Sequence, residues 1–83
     1  MTKDQVFSKL TDIIRDVFDN EDLVATPEMT AQSVNEWDSL NHIRLIVTVE
    51  KAFGVKFTTA EVSEFRDVGH LADTILLKSP QQA

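Results

Sequence analysis

Cysteine is absent from this chain. Neither disulfides nor a zinc-thiolate site can reinforce it, and the expected compartment is the cytoplasm. Positive charge is scarce, with 8 Lys+Arg against 14 Asp+Glu. A phosphate-binding face needs clustered basic residues, so neither nucleic acid nor anionic membrane is expected as a partner. Long apolar runs are missing too. The start Met1-Thr2-Lys3-Asp4 has no signal-peptide core, and no segment approaches a membrane span. No glycine precedes Gly54. That removes calcium from the acidic run Asp19-Asn20-Glu21-Asp22, since the calcium loop needs alternating oxygen ligands and a glycine at its sharp turn. The run reads instead as a solvated helix end. The two histidines, His42 and His70, stand in no metal-ligating pattern, so no metal is expected.

What remains is a single small domain. A chain of 83 residues buries only about 60–65% of its unfolded surface. Without staples, its core supplies roughly 3–5 kcal/mol, which demands close helix packing. Residues 1–78 are expected to form the domain, and 79–83, behind Pro80, a disordered tail.

The apolar pattern is helical throughout, with no strand alternation, repeat or low-complexity segment. Thr2-Lys3-Asp4-Gln5 is a capping box, and Val6, Phe7, Leu10, Ile13, Ile14, Val17 and Phe18 follow at helical spacing. A first amphipathic helix is predicted near 3–18. Residues 19–38 form a long connection anchored by Leu23, Val24, Met29, Val34 and Trp37, with a single helical turn at Thr26-Pro27-Glu28. Loops this long in a compact domain are often functional. After a central helix, Val55-Lys56-Phe57 reads as extended. Thr58-Thr59-Ala60-Glu61 is a second capping box opening a short helix near 59–65 that buries Val62 and Phe65. Asp67 caps a last helix over 68–77, burying Val68, Leu71, Ile75 and either Ala72 or Leu76.

The central helix carries the functional signal. Leu45, Ile46, Val49 and Phe53 give a buried stripe, and Gly54 can close the helix with φ > 0, followed by apolar Val55. Leu40, Ile43 and Val47 either widen the stripe or form a second, exposed apolar edge. Asp38 and Ser39 are both N-cap residues. A serine hydroxyl thus stands at the positive end of a helix dipole, where phosphate is favoured. Trp37 reads as an anchor fixing the loop ahead of the helix. Charge divides at this point. Residues 1–38 hold three basic and nine acidic side chains, while the helix holds Arg44 and Lys51 against Glu50.

Ser39 and His42, three apart, share a helix face and suggest a nucleophile with its base. A triad also needs an orienting carboxylate, an oxyanion hole and a pocket, so a small hydrolase is a distant reading with His42 as a solvated residue its alternative. Ser39 itself can also be no more than a cap.

Taken together, the first amphipathic helix, the long loop, Asp38-Ser39-Leu40 opening the second helix, and Leu45, Val49, Glu50 and Phe53 resemble the acyl carrier protein family. Phe57, the short third helix and Val68, Leu71 and Ile75 extend the resemblance over about residues 3–77. It implies an all-α fold, a four-helix bundle of three main helices and one short one with a long first loop. It implies a carrier, not an enzyme, with no catalytic residue of its own. Ser39 would bear 4′-phosphopantetheine taken from coenzyme A by a phosphopantetheinyl transferase, with Asp38 and Leu40 beside it and Asp38 assisting the transfer. The arm would hold acyl groups as thioesters for acyl-activating or acyl-transferring enzymes meeting Leu40, His42, Ile43, Arg44 and Val47. A monomer is expected.

Three departures narrow the reading. Peptidyl carriers usually have glycines before the serine, where this chain has Glu36-Trp37-Asp38. Fatty-acid carriers usually have acidic residues early in the second helix, where this chain has Asn41, His42 and Arg44, and Val47 replaces a usual methionine. A freestanding, specialised carrier is therefore expected. An unmodified interaction domain of the same fold is the alternative. Any acyl cavity is expected near Ile43, Val47, Phe57 and Leu71.

Overall fold

The structure is a computed structural model describing residues 2–65 and 67–78. Four helices run in the order α1 (Lys3–Phe18), α2 (Ser39–Phe53), α3 (Thr59–Glu64) and α4 (Val68–Lys78). Among the described residues there is no strand.

Helix α1 starts where its capping box predicts. Thr2 Oγ1 accepts from the Gln5 N–H at 3.2 Å, and Gln5 Oε1 accepts from the Thr2 N–H at 2.9 Å. Val6, Leu10, Ile13, Ile14, Val17 and Phe18 are buried, and Phe7 packs at the margin. Asp19 ends the helix in the left-handed region at φ 53, which a short polar side chain tolerates. Against α1 pack Leu45, Ile46, Val49 and Phe53 of α2 and Val68, Leu71, Ala72 and Ile75 of α4. Burying a Leu or Ile fully contributes about 1.5–3 kcal/mol, so this small core depends on each of them.

The long connection is strapped down by backbone groups. The Ala25 N–H donates to Thr11 Oγ1 at 2.9 Å, and Arg15 Nε donates to the Leu23 carbonyl at 2.7 Å. At the far side the Val68 and Gly69 N–H groups donate to the carbonyls of Met29 (2.9 Å) and Pro27 (3.1 Å). The first turn of α4 thereby satisfies N–H groups that have no partner within the helix. Met29, Val34 and Trp37 are buried as expected, with Leu23 at the margin. Val24 is not an anchor: it is 51% exposed, and its neighbour Ala25 is buried instead. The Ala25 bond to Thr11 turns the small side chain inward, so Val24 points out. Thr26-Pro27-Glu28 forms a turn closed by the Met29 N–H on the Thr26 carbonyl, not a helical turn.

Two further boundaries differ slightly. Helix α3 stops at Glu64 with Phe65 already extended (φ −69, ψ 109), and α4 runs one residue beyond the predicted end, to Lys78. Val62 and Phe65 are half-buried, not buried, and Ala72 is taken into the core while Leu76 packs at its margin. The tail predicted for 79–83 lies outside the described residues.

Candidate functional site

Asp38 is the N-cap of α2 and Ser39 its first residue. Asp38 Oδ1 accepts from the Asn41 N–H at 2.8 Å, and the Asp38 carbonyl accepts from the His42 N–H at 2.8 Å. A cap of this kind stabilises a helix by about 1 kcal/mol. The Ser39 side chain is left exposed in the first turn, where N–H groups point out along the dipole. That is suitable chemistry for a phosphodiester: a free hydroxyl to form the bond and a helix start to favour the negative charge.

The loop ahead of Ser39 is held from three sides. Asn41 Nδ2 donates to the Glu36 carbonyl at 2.8 Å. Asn20 Nδ2 donates to Glu36 Oε2 at 3.1 Å, tying the end of α1 to the same residue. Trp37, 9% exposed, packs at a tilt of 40° against Phe18 with ring centroids 5.6 Å apart. It is an anchor, as its position at the loop–helix junction predicted. Glu36 and Asn20 were not singled out in the sequence, because their partners are distant along the chain. Asn41 lies where a fatty-acid carrier would be acidic, and its amide N–H is what fastens the loop.

His42 is not a solvated residue. Trp37 Nε1–H, which can only donate, gives to His42 Nδ1 at 3.0 Å. Nε2 lies 3.3 Å from the Val62 carbonyl, which can only accept. The ring is therefore neutral with its proton on Nε2. Both nitrogens are committed, so His42 has no lone pair to take a proton from Ser39. The small-hydrolase reading loses its base.

The remaining predicted contact residues do share a surface. Leu40 (68% exposed), Ile43 (54%) and Val47 (43%) form the exposed apolar edge of α2, with exposed Arg44 on the same helix. The alternative, that they widen the buried stripe, is excluded. His42 is half-buried and turned inward, unlike the other four.

Ser39 itself borders an open pocket of about 720 Å³, whose lining includes Trp37, His42, Ile43, Val62 and Phe65. It is not centred where a cavity was expected. Ile43 borders it, but Leu71 is buried in the core, Phe57 is engaged edge-on with Phe65 at 5.2 Å, and Val47 lines a different hollow.

The chain is similar to known proteins. The family described as "Phosphopantetheine attachment site" matches residues 8–75. An acyl carrier protein of Borreliella burgdorferi is 34% identical over 76 residues, spanning 90% of this chain and 94% of that one. One from Lactobacillus johnsonii is 24% identical over 75 residues, with the same coverage. The solution structure of the holo acyl carrier protein from Geobacter metallireducens superposes with a TM-score of 0.83 at 40% identity, covering 88% of this chain and 84% of that one.

Proposed function

We propose that Ser39 bears the phosphopantetheine arm, on the premise that this chain belongs to the phosphopantetheine attachment family and is an acyl carrier protein. A member of that family is a carrier, not a catalyst. It holds acyl groups as thioesters on covalently attached 4′-phosphopantetheine, and it is met by a phosphopantetheinyl transferase and by acyl-handling enzymes. The observation that carries the assignment is the exposed Ser39 hydroxyl at the first position of α2, directly after the cap Asp38. Asp38, whose Oδ1 makes the cap bond, directly precedes Ser39 and is the residue assigned here to assist the transfer step. The arm supplies the thiol, which a chain without cysteine lacks.

The surface around Ser39 supports a narrower reading. Leu40, Ile43 and Val47 offer an apolar contact strip, and Arg44 gives it a positive charge where fatty-acid carriers are acidic. Like-charge contact works against partners with basic docking patches. The chain therefore serves, as a monomer in the cytoplasm, enzymes outside housekeeping fatty acid synthesis. Arg44→Glu is expected to raise activity with a housekeeping elongating synthase. Full activity of the unaltered chain with that synthase, indifferent to Arg44, would refute the specialised role.

The attachment itself is tested by intact mass after incubation with coenzyme A, magnesium and a permissive phosphopantetheinyl transferase. The expected result is a gain of one phosphopantetheine, abolished in Ser39→Ala. No gain with several transferases would leave the exposed apolar strip as the property of an unmodified interaction domain.

A further inference from the structure

Helix α3 is the least embedded element of the bundle. It has six residues and buries none of them. Its position therefore rests on specific ties more than on apolar packing. The end nearest Ser39 is tied through His42, whose Nε2–H reaches the Val62 carbonyl at 3.3 Å. This carbonyl lies in the last turn of α3, where carbonyls have no partner within the helix. The other nitrogen of the same ring, Nδ1, accepts the Trp37 Nε1–H at 3.0 Å, and the two rings lie nearly parallel, 21° apart. Trp37 is in turn fixed against Phe18 of α1. The line Phe18–Trp37–His42–Val62 thus runs from the core to α3 and crosses the wall of the pocket beside Ser39.

We propose that His42 is a positioning residue, a neutral imidazole clasp that holds α3 against the loop before Ser39 and so sets how far the pocket shelters a thioester. This rests on the carrier reading for its consequence, though not for its geometry. Val62 and Phe65 form the α3 side of the pocket, and Trp37, Ile43 and the imidazole form the other. A tie between the two sides fixes their separation. Breaking it lets α3 swing on Thr58 and Phe65, the extended residues that flank it, which widens the pocket and admits water.

Trp37→Phe keeps an aromatic ring on Phe18 and removes the donor together with the rest of the indole, so it is read beside the His42 variants, which leave that ring in place. His42→Leu removes both bonds, and His42→Gln retains an amide oxygen to accept and an NH2 to donate. The first readout, on the unmodified full chain, is amide hydrogen exchange together with the imidazole ¹⁵N shifts. The proposal expects a neutral ring protonated at Nε2. It expects α3 amides to exchange about tenfold faster in Trp37→Phe and His42→Leu, the scale of one lost hydrogen bond, with α1 and α4 unchanged and His42→Gln restored. A ring protonated at Nδ1, or acceleration shared equally by α1 and α4, overturns it, because a merely structural histidine would loosen the whole bundle. The second readout is cleavage of an octanoyl thioester by hydroxylamine on the loaded protein. Several-fold faster cleavage in the two clasp variants supports the proposal, and equal cleavage overturns it. Failure of Ser39 to take the arm would show in the mass, and would leave the exchange result to judge the clasp by itself.

Discussion

A methyl group added at Gly69 would stand 3.0 Å from the Pro27 carbonyl oxygen and 3.2 Å from its Cα. That oxygen is held by the Gly69 N–H itself, so it cannot retreat without stretching the bond that seats α4 on the loop. Gly54 is the opposite case. Space around it is open, but its φ of +68 is strained for any residue with a Cβ. The two should therefore respond differently to the same pair of substitutions. At Gly54, Asn should cost less than Ala, because Asn tolerates the left-handed region, and Gly54→Ala should cost about 1–2 kcal/mol. At Gly69 the larger residue should be worse. Gly69→Ala gains about 1 kcal/mol of helix propensity and loses about 1–3 to overpacking, and Gly69→Asn should exceed it. Urea denaturation of the four variants checks the reversal, and the same rank order at both sites would contradict it. The role of Gly54 was legible in the chain, because a glycine just past a helical stripe has a local meaning. That of Gly69 was not, because its constraint comes from a residue on the far loop. His42 illustrates the same limit: its spacing from Ser39 suggested chemistry, whereas its partners Trp37 and Val62 gave it a fixed tautomer and an architectural task.

Among the elements, α3 is governed by its ends. The Thr58–Glu61 capping box that predicted it is present, with the Thr58 N–H donating to Glu61 Oε1 at 2.8 Å. The same oxygen meets Lys78 Nζ of α4 at 3.0 Å. These contacts, the Thr58 N–H first and Lys78 second, hold the Glu61 carboxyl below its ordinary value of 4.5. A depressed carboxylate contributes stability above its unfolded value and loses it as pH falls through the folded one. Protection of α3 amides, normalised for intrinsic exchange, should accordingly decline as pH drops below 4.5, while α1 amides persist to lower pH. Glu61→Gln should flatten that decline and lower the protection at neutral pH. An α3 profile unchanged by Glu61→Gln would mean that the cap bond is not what secures the helix. The capping box was readable because both partners lie within one turn. The Lys78 tie was not, because nothing in the sequence sets α4 beside α3.

At the scale of the molecule, the helical periodicities specified the bundle well. The stripes of α1, α2 and α4 became the core, with Phe7 alone of the α1 stripe left at its margin, since a 3.6-residue period has one way to face a shared centre. The long loop was the exception. Its apolar residues gave no period, so Val24 and Ala25 could be told apart only by the Thr11 bond that turns one of them inward. The pocket was displaced for a related reason, as Trp37 and His42 of the loop–helix junction, not Val47 and Leu71, line it. This placement bears on stability. A core of this size leaves roughly 3–5 kcal/mol in hand. Apolar cargo that enters the pocket binds the native state alone, and its tether keeps its effective concentration high. An octanoyl chain that enters should raise the melting temperature over the arm-only form, by about 4–8 °C for each kcal/mol gained in a domain this small. An acetyl group, too short to bury appreciable apolar area, should leave it near the arm-only value. Equal melting temperatures for the arm-only, acetyl and octanoyl forms would mean that the cargo stays outside, and the pocket would then act only in partner contact. A rise that grows with chain length and is lost in His42→Leu would tie the sheltering of cargo to the contact between α2 and α3.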